Sequence, residues 1–571
     1  MAVRDGTIED MYQQFQRGII SRRQFVRGLL ALGVAAATIG ELVPGVRVAE
    51  AAHGIPGPRW QGGTYGGTLR VSYTDPIGGV TNLDSSNGGP PFAAYWSVNQ
   101  LFYRGLMFFG SGATLTPLPD MAEGFPHVSA DGLVYTYKLR KGITFHHGRE
   151  CTAEDFVWTW DRTLIPSTGG WVAGYVGPIL GANAVASGKA THVKGFKALD
   201  RYTIQVTLTQ PDAVLNSILA LPAFYPMPKE MVAKLGKDWR THVIGTGPFK
   251  LEKVDTVNNQ VICVRNPHYY YPQLPYLDRV ILDMNVPDTL AFEKLTRGEL
   301  DMIGYGIPVG LYGKVVTDPR YKGMWENATN LSTNYLAMDV SKPPFNNHKV
   351  RQAMNYAIDK ERIARLQVAS VTLGKPTPTV YPPGMLGYDP HLKGYEHNPD
   401  MARRLLHEAG YPNGFSVDYA VLTPPIQGAL QAPSVVADLA AVGITAKIHE
   451  FTSTTFNTLV AKCRYPLYDW NYTVGVPDPS DPIGGMFTTT AAYNYCHFSD
   501  AQVDRLALQG LSTLDTGKRI AIYRQIERRI VELAPVVFLT YLKTTTLHTR
   551  RLHNGLMNGI TGAQFDRMWL A

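Results

Sequence analysis

Segments of strict two-residue alternation recur along this chain with capped helices between them, and that interleaving restricts the fold to a mixed α/β architecture. Leu133, Tyr135, Tyr137 and Leu139 alternate with Val134, Thr136, Lys138 and Arg140, and Tyr202, Ile204, Val206 and Leu208 alternate with Thr203, Gln205, Thr207 and Thr209. Each pattern predicts a strand with one buried face, because successive side chains of a strand point to opposite sides. Residues 68–73 read as an opening strand that runs into a Gly/Pro/Asp-rich loop over 75–87. Between the two alternating segments, Thr152 and Asp155 have the spacing of a capping box, and Phe156, Trp160 and Leu164 follow at helical intervals. Asn398-Pro399 opens a helix carrying Met401, Leu405 and Leu406, which stops at Gly410 with Pro412 just beyond. No tandem repeat and no low-complexity linker interrupts the pattern. If the chain forms two lobes, it is expected to cross between them through short hinge strands. Its 571 residues give a prior of roughly three to four domains or subdomains. With 45% hydrophobic and 18% charged side chains, disorder and fibrous repeats are excluded.

The amino terminus points to export. Ser21-Arg22-Arg23-Gln24-Phe25-Val26-Arg27 precedes an apolar stretch from Gly28 to Val43, followed by Val48-Ala49-Glu50-Ala51-Ala52. A basic segment, a short apolar segment and an Ala-x-Ala site have the layout of a secretory signal. The apolar stretch contains Glu41 and falls short of the roughly 20 residues of a membrane span. Paired arginines followed by Phe resemble the twin-arginine export signal. Residues 1–51 are therefore expected to be removed, leaving a periplasmic protein that starts near Ala52, with no cysteine there to carry a lipid anchor.

Composition removes several other classes. The net charge of +7 is mild over this length, and no Lys/Arg run is long enough for a nucleic-acid footprint. The four cysteines (Cys151, Cys263, Cys463, Cys496) include no C-x-x-C pair, which argues against a structural zinc site or a thioredoxin-like couple. Cys463 and Cys496 bracket a Pro/Asp-rich loop; after export they are placed to clip it, with free buried thiols as the alternative. His146 and His147 are adjacent, so on a strand they face opposite sides, a poor metal geometry. Gly245-Thr246-Gly247-Pro248 lacks the Lys-Ser/Thr of a phosphate cradle, and no G-x-S-x-G elbow supports hydrolysis. No metal and no cofactor is expected. The 31 Tyr, against 21 Phe and 9 Trp, suit a wet binding cleft, although β-rich packing gives the same excess.

Seven blocks in order resemble the solute-binding proteins of dipeptide/oligopeptide (family 5) ABC importers. The first, Leu115–Leu164, reads LTPLPDMAEGFPHVSADGLVYTYKLRKGITFHHGRECTAEDFVWTWDRTL. Gly245-Thr246-Gly247-Pro248-Phe249, Arg265-Asn266-Pro267-His268-Tyr269-Tyr270 and Arg297-Gly298-Glu299-Leu300-Asp301 follow. Pro343-Pro344-Phe345 with Val350-Arg351-Gln352-Ala353 and Ala357-Ile358-Asp359-Lys360, then Ala402–Pro412, then Asp478-Pro479-Ser480-Asp481-Pro482 complete the set. Cys151, His147 and Ser85 depart from the family pattern. The resemblance implies an α/β two-lobed clamp with an extra subdomain in lobe I, which does no chemistry on its ligand. Lobe I is expected over 52–307 with a C-terminal return over 534–571, and lobe II over 308–533.

The resemblance also implies a ligand cleft. Asp478 matches the position expected to receive a peptide ammonium, a contact that gains strength in a closed, low-dielectric cleft; turn formation in a Pro-rich loop is the structural alternative. Residues 467–474 read as the buried strand leading to it, with Trp470 and Tyr472 on one face, either against the core or along the cleft. Tyr73, Thr74 and Asp75, after the first strand, are expected to present lobe I to the ligand, while Asp84 caps a turn. Arg351 and Lys375 are the cations considered for a ligand carboxylate, Arg351 reading more naturally as half of a structural salt bridge. The expected partners are a short peptide or small solute and the ABC permease, with the receptor acting as a monomer. A metal chelate, an opine or a sugar on the same clamp is the alternative cargo; an exported hydrolase or chaperone is the alternative class.

Overall fold

One 11-stranded sheet runs through the whole molecule and carries both lobes. In the computed structural model the described residues are 63–73, 82–87, 93–110, 116–168, 171–304, 307, 309–368, 374–423, 431–555, 557–558, 560 and 562–571. The expected export signal, 1–51, lies outside them. The order across the sheet is Thr445–Phe451, Ser416–Leu422, Leu467–Thr473, Trp325–Met338, Val536–His548, Met302–Ile303, Thr68–Tyr73, Arg279–Met284, Gln260–Arg265, Phe249–Asp255, and the eleventh strand, Gly374–Pro376, pairs with Val536–His548 off this path. The opening strand sits inside the first lobe, parallel to Arg279–Met284 and Met302–Ile303. Leu69, Val71 and Tyr73 pack there with Val280 and Leu282. The second lobe repeats the logic: Ser416–Leu422 lies between the parallel strands Thr445–Phe451 and Leu467–Thr473, over a cluster that includes Tyr419, Val421, Leu406 and Met354.

The two lobes are joined by Trp325–Met338 and Val536–His548, an antiparallel pair of 14 and 13 residues. These are long strands rather than the short hinges expected. Their register slips between Thr329 and Thr333 and again between Asn334 and Tyr335, so the ladder is locally interrupted where the chain passes from one lobe to the other. The expected lobe boundaries move accordingly. Tyr312, Val315 and Tyr321 pack with Phe292, Leu295 and Leu547, so the segment after 308 still belongs to the first lobe. At the other crossing, Val536 and Val537 pair with Ala337 and Leu336 inside the second lobe, past the expected boundary at 533. The boundary was misplaced because one strand, Trp325–Met338, continues through the crossing with no break in the chain to mark it.

A four-stranded sheet, His127–Val128, Val134–Lys138, Thr203–Thr207 and Phe196–Asp200, forms the extra subdomain of the first lobe. Tyr135, Tyr137 and Leu139 are buried on one face as the alternation requires, and Ile204, Val206 and Leu208 likewise. The helix Ala153–Leu164 begins with the capping box: the backbone N–H of Thr152 donates to the Asp155 carboxylate at 2.8 Å. Trp160 stacks edge-on between Phe156 and Phe196 and donates its indole N–H to the carbonyl of Phe224 at 2.8 Å. Asp84, expected to cap a turn, also takes a two-pronged ion pair from Arg162 (3.0 and 2.6 Å), which fastens the loop after the first strand to this helix. In the second lobe the Asn398 side chain accepts from Met401 N–H at 2.9 Å, and Gly410 adopts φ +89° just past the helix Pro399–Glu408.

The Gly245-Thr246-Gly247 segment is a close-approach device. It lies along the end of the helix Ala93–Phe102, and Gly247 N–H donates to the Phe102 carbonyl at 2.8 Å. A Cβ on Gly245 would fall 2.0 Å from the Phe102 oxygen, and one on Gly247 would fall 2.4 Å from the Leu101 oxygen. Because the obstacle is backbone, Gly245→Ala and Gly247→Ala are each expected to cost about 3 kcal/mol, the upper end of the usual overpacking range. Loss of soluble protein, or a steep fall in the urea midpoint, is the readout; a wild-type midpoint would contradict the close approach. The next block closes on the same place. Asn266 donates its amide to the Gly247 carbonyl at 3.0 Å, while Tyr270 and Tyr271 donate to Asp120 at 2.6 and 3.1 Å. Buried Arg104 joins Tyr269 and Asp566, tying the C-terminal return into the first lobe.

Candidate ligand-binding cleft

In open α/β sheets ligands gather beyond the carboxyl ends of parallel strands. Here that place is the loop 474–482, which follows Leu467–Thr473 and faces the first lobe. Two aspartates organise it. Asp481 accepts from Tyr472 hydroxyl (2.6 Å), Gly475 N–H (2.6 Å) and Val476 N–H (2.7 Å). A fourth donor, the Tyr175 hydroxyl at 3.4 Å, comes from the first lobe. A Cβ at Gly475 would lie 2.5 Å from that hydroxyl, so glycine is what lets Tyr175 approach. Burial pushes the Asp481 carboxyl up to about 6, partly offset by these donors.

Asp478 is held differently. Arg519 grips both of its oxygens at 2.9 and 2.8 Å, and Ser480 N–H adds a third bond at 3.0 Å. Arg519 in turn donates to the Gly510 carbonyl at 3.0 Å and lies over the Tyr523 ring at 5.3 Å. Both partners of the pair are buried. The expectation that Asp478 awaits a ligand ammonium is therefore corrected: a guanidinium from its own lobe already fills that role, and the carboxylate serves to fix the loop.

First-lobe groups close over this pair. Asp212 is 2% exposed, and its carboxylate accepts from Val214 N–H at 2.9 Å. Burial first, and then the Asp478 charge, push its carboxyl up to about 6. Beside it, Ala213 N–H donates to the Leu511 carbonyl of the second lobe at 3.3 Å. One apolar cluster continues across the junction, with Tyr137 and Trp160 of the first lobe in the same body as Tyr472 and Tyr523 of the second.

The remaining expected site residues separate into three groups. Trp470 and Tyr472 do share a face: Tyr472 is buried on Asp481, whereas Trp470 is half-buried, stacked on Phe456 at 6.0 Å and edge-on to Tyr495 at 5.5 Å. Tyr493, 47% exposed, extends this aromatic wall from Tyr472 and Tyr495. Tyr73 does not face a cleft; it is fully buried in the first-lobe cluster, its ring against Gly304. Thr74 and Asp75 lie outside the described residues. Among the described residues Arg351 forms no salt bridge but caps the carbonyls of Phe345 and Leu533, and Lys375 is exposed. His146 is bound by the glycine segment, accepting from Gly245 N–H at 3.2 Å and donating to the Gly247 carbonyl at 3.1 Å, and burial lowers its pKa to about 4. His147 turns instead to Glu230.

Arg519, Tyr175, Asp212 and Tyr493 were not anticipated. Arg519 had a faint signal: it stands four residues before Tyr523 on the buried stripe of the helix Thr516–Leu533. Tyr175 and Asp212 depend on loops from opposite lobes meeting and Tyr493 on a loop folding back onto Tyr472, which no local pattern encodes.

Two α/β lobes on one shared sheet, joined by paired strands and meeting over a loop at strand ends, define a solute-binding clamp. The model of bacterial extracellular solute-binding proteins, family 5 Middle, matches residues 116–494, and the chain belongs to that family. Heme-binding protein A of Haemophilus influenzae is 28% identical over 472 residues, covering 77% of this chain and 82% of that protein. The glutathione-binding protein GsiB of Escherichia coli is 28% identical over 498 residues, covering 82% and 89%. Solved structures share the fold. The periplasmic binding protein DppA of Helicobacter pylori, in complex with the peptide STSA, gives a TM-score of 0.74 at 22% identity, covering 89% of this chain and 98% of that one. The periplasmic murein tripeptide binding protein MppA, in an unliganded open form, gives 0.72 at 23% identity, covering 89% and 99%.

Proposed function

We propose that this protein is the exported receptor of an ABC importer, which captures a short peptide between its lobes and delivers it unaltered to a membrane permease. The observation that carries this reading is the pair of cross-lobe contacts, Tyr175 to Asp481 and Ala213 to Leu511, made beyond the strand ends of a fold hinged on two strands. A ligand that touches both lobes favours the closed form by its differential affinity for it. Export by the twin-arginine route, residence in the periplasm and action as a monomer belong to the same proposal. Thr74 and Asp75 remain its proposed first-lobe contacts.

With Asp478 committed to Arg519, a peptide would be held by its backbone and by the aromatic wall of Trp470, Tyr493 and Tyr495, with no ion pair from Asp478 to its ammonium. N-acetylation of a bound dipeptide or tripeptide is accordingly expected to change affinity less than about tenfold, measured by calorimetry. A loss of a hundredfold or more would show that a carboxylate does receive the ammonium. A second reading, a non-peptide solute with a planar face, is favoured by the same aromatic wall. Tight binding of such a solute, with no response to any peptide, would select it.

A further inference from the structure

Cys463 ends the helix Ser453–Ala461 in a left-handed turn (φ +47°), its N–H on the Val460 carbonyl at 2.8 Å. Its sulfur lies 3.4 Å from the carbonyl oxygen of Tyr495. That carbonyl carbon is bonded to the amide nitrogen of Cys496, so a single peptide unit separates the sulfur's contact from the second cysteine. The strand end at Asp339-Val340 holds both turns together. Asp339 N–H donates to the Pro466 carbonyl at 2.9 Å and Val340 N–H to the Cys496 carbonyl at 2.9 Å. His497 adds a contact to the Asp339 carboxylate at 2.8 Å. The main chain that carries the two thiols is thus tied together by hydrogen bonds on both sides, with the Cys463 sulfur against the peptide unit that leads into Cys496. Cys496 now points its sulfur toward the Tyr468 hydroxyl, 3.7 Å away. Cys463 is half-buried and Cys496 is buried, so an external reagent meets Cys463 first. Cys151 and Cys263 are both buried on separate elements of the first lobe.

We propose that Cys463 and Cys496 are a modification site, a disulfide closed after folding by a protein thiol oxidase. The Cys463 thiolate attacks the oxidase disulfide, forming a mixed disulfide and releasing one oxidase thiol. The Cys496 thiolate then attacks the Cys463 sulfur, forming the internal S–S bond and releasing the second oxidase thiol. Two protein thiols lose two electrons and two protons, and the oxidase disulfide gains them. The bond closes a loop containing Trp470, Asp478, Asp481 and Tyr493, and so staples the part of the second lobe that faces the cleft. The occurrence of this step in the cell rests on the export reading; its geometry does not.

The test therefore begins in vitro. Reduced, purified full-length protein is exposed to oxidised glutathione with a protein disulfide oxidase, denatured in an alkylating reagent and mapped by mass spectrometry. A cross-linked peptide pair containing Cys463 and Cys496, with Cys151 and Cys263 alkylated, is expected. Reductant should lower the melting temperature of the oxidised protein by about 5 °C, and should not do so in the Cys463→Ser/Cys496→Ser variant. Alkylation of all four thiols after oxidant treatment overturns the pairing. Pairing in vitro together with four free thiols in protein isolated from its own cells supports the site and counts against export.

Discussion

Arg519→Ala is expected to cost about 3–5 kcal/mol of folding stability, because it strands the buried Asp478 carboxylate without its counter-ion. The loss is large for the reason that a buried pair is a weak source of net stability: desolvation of two charges is offset only while both are present. Its signature is a double-mutant cycle. Asp478→Asn with Arg519→Met removes both charges and is expected to recover much of the loss, leaving a coupling energy of at least about 2 kcal/mol in urea unfolding. Additive single and double variants would mean that the two side chains do not depend on each other. The same cycle bears on function, since the loop fixed by this pair also carries Asp481, to which Tyr175 of the first lobe donates.

Lobe closure is expected to take up a proton at Asp212. With the lobes in contact as in this structure, this carboxyl sits against Asp478 and Arg519 of the second lobe and against Tyr135 and Tyr137 of its own, with its pKa raised from 3.8 to about 6. A group whose pKa is raised in a state favours that state at low pH. The contribution is complete below the ordinary carboxylate pKa and is lost as pH rises through about 6. If opening returns Asp212 to water, the closed-to-open ratio falls by up to about a hundredfold between about pH 4 and pH 7, on the order of 3 kcal/mol. Small-angle scattering should therefore find the protein more compact at the acid end. Asp212→Asn should remove most of that difference, the remainder belonging to Asp481, whose carboxyl titrates in the same range. An unchanged pH profile in Asp212→Asn would remove this residue from closure.

The sequence reached the fold through features that are local and repeated. The strands around Tyr135 and Ile204, the Thr152–Asp155 capping box and the Asn398 cap are set by neighbours within a few residues, and each stands where its pattern placed it. What failed was long-range. Asp478 looked like a free acid because its partner lies on another element, 41 residues on. Tyr73 looked like a cleft residue because it ends a strand, yet the Gly304 backbone closes over its ring. The hinge was misplaced for a related reason, since a single strand, Trp325–Met338, continues through the crossing and its irregularity appears only in its pairing with Val536–His548. The outline of a clamp is thus legible from periodicity and family blocks, whereas the cleft is built from loops whose meeting depends on the tertiary fold.

The central claim, that this clamp holds a small solute and does no chemistry on it, is most directly tested by native mass spectrometry of the protein isolated from its own cells. The account predicts one small molecule per chain, released on denaturation and rebound by the emptied protein with its mass unchanged. Conversion of the released compound on incubation with the emptied protein, or failure of the emptied protein to rebind it, would contradict the claim.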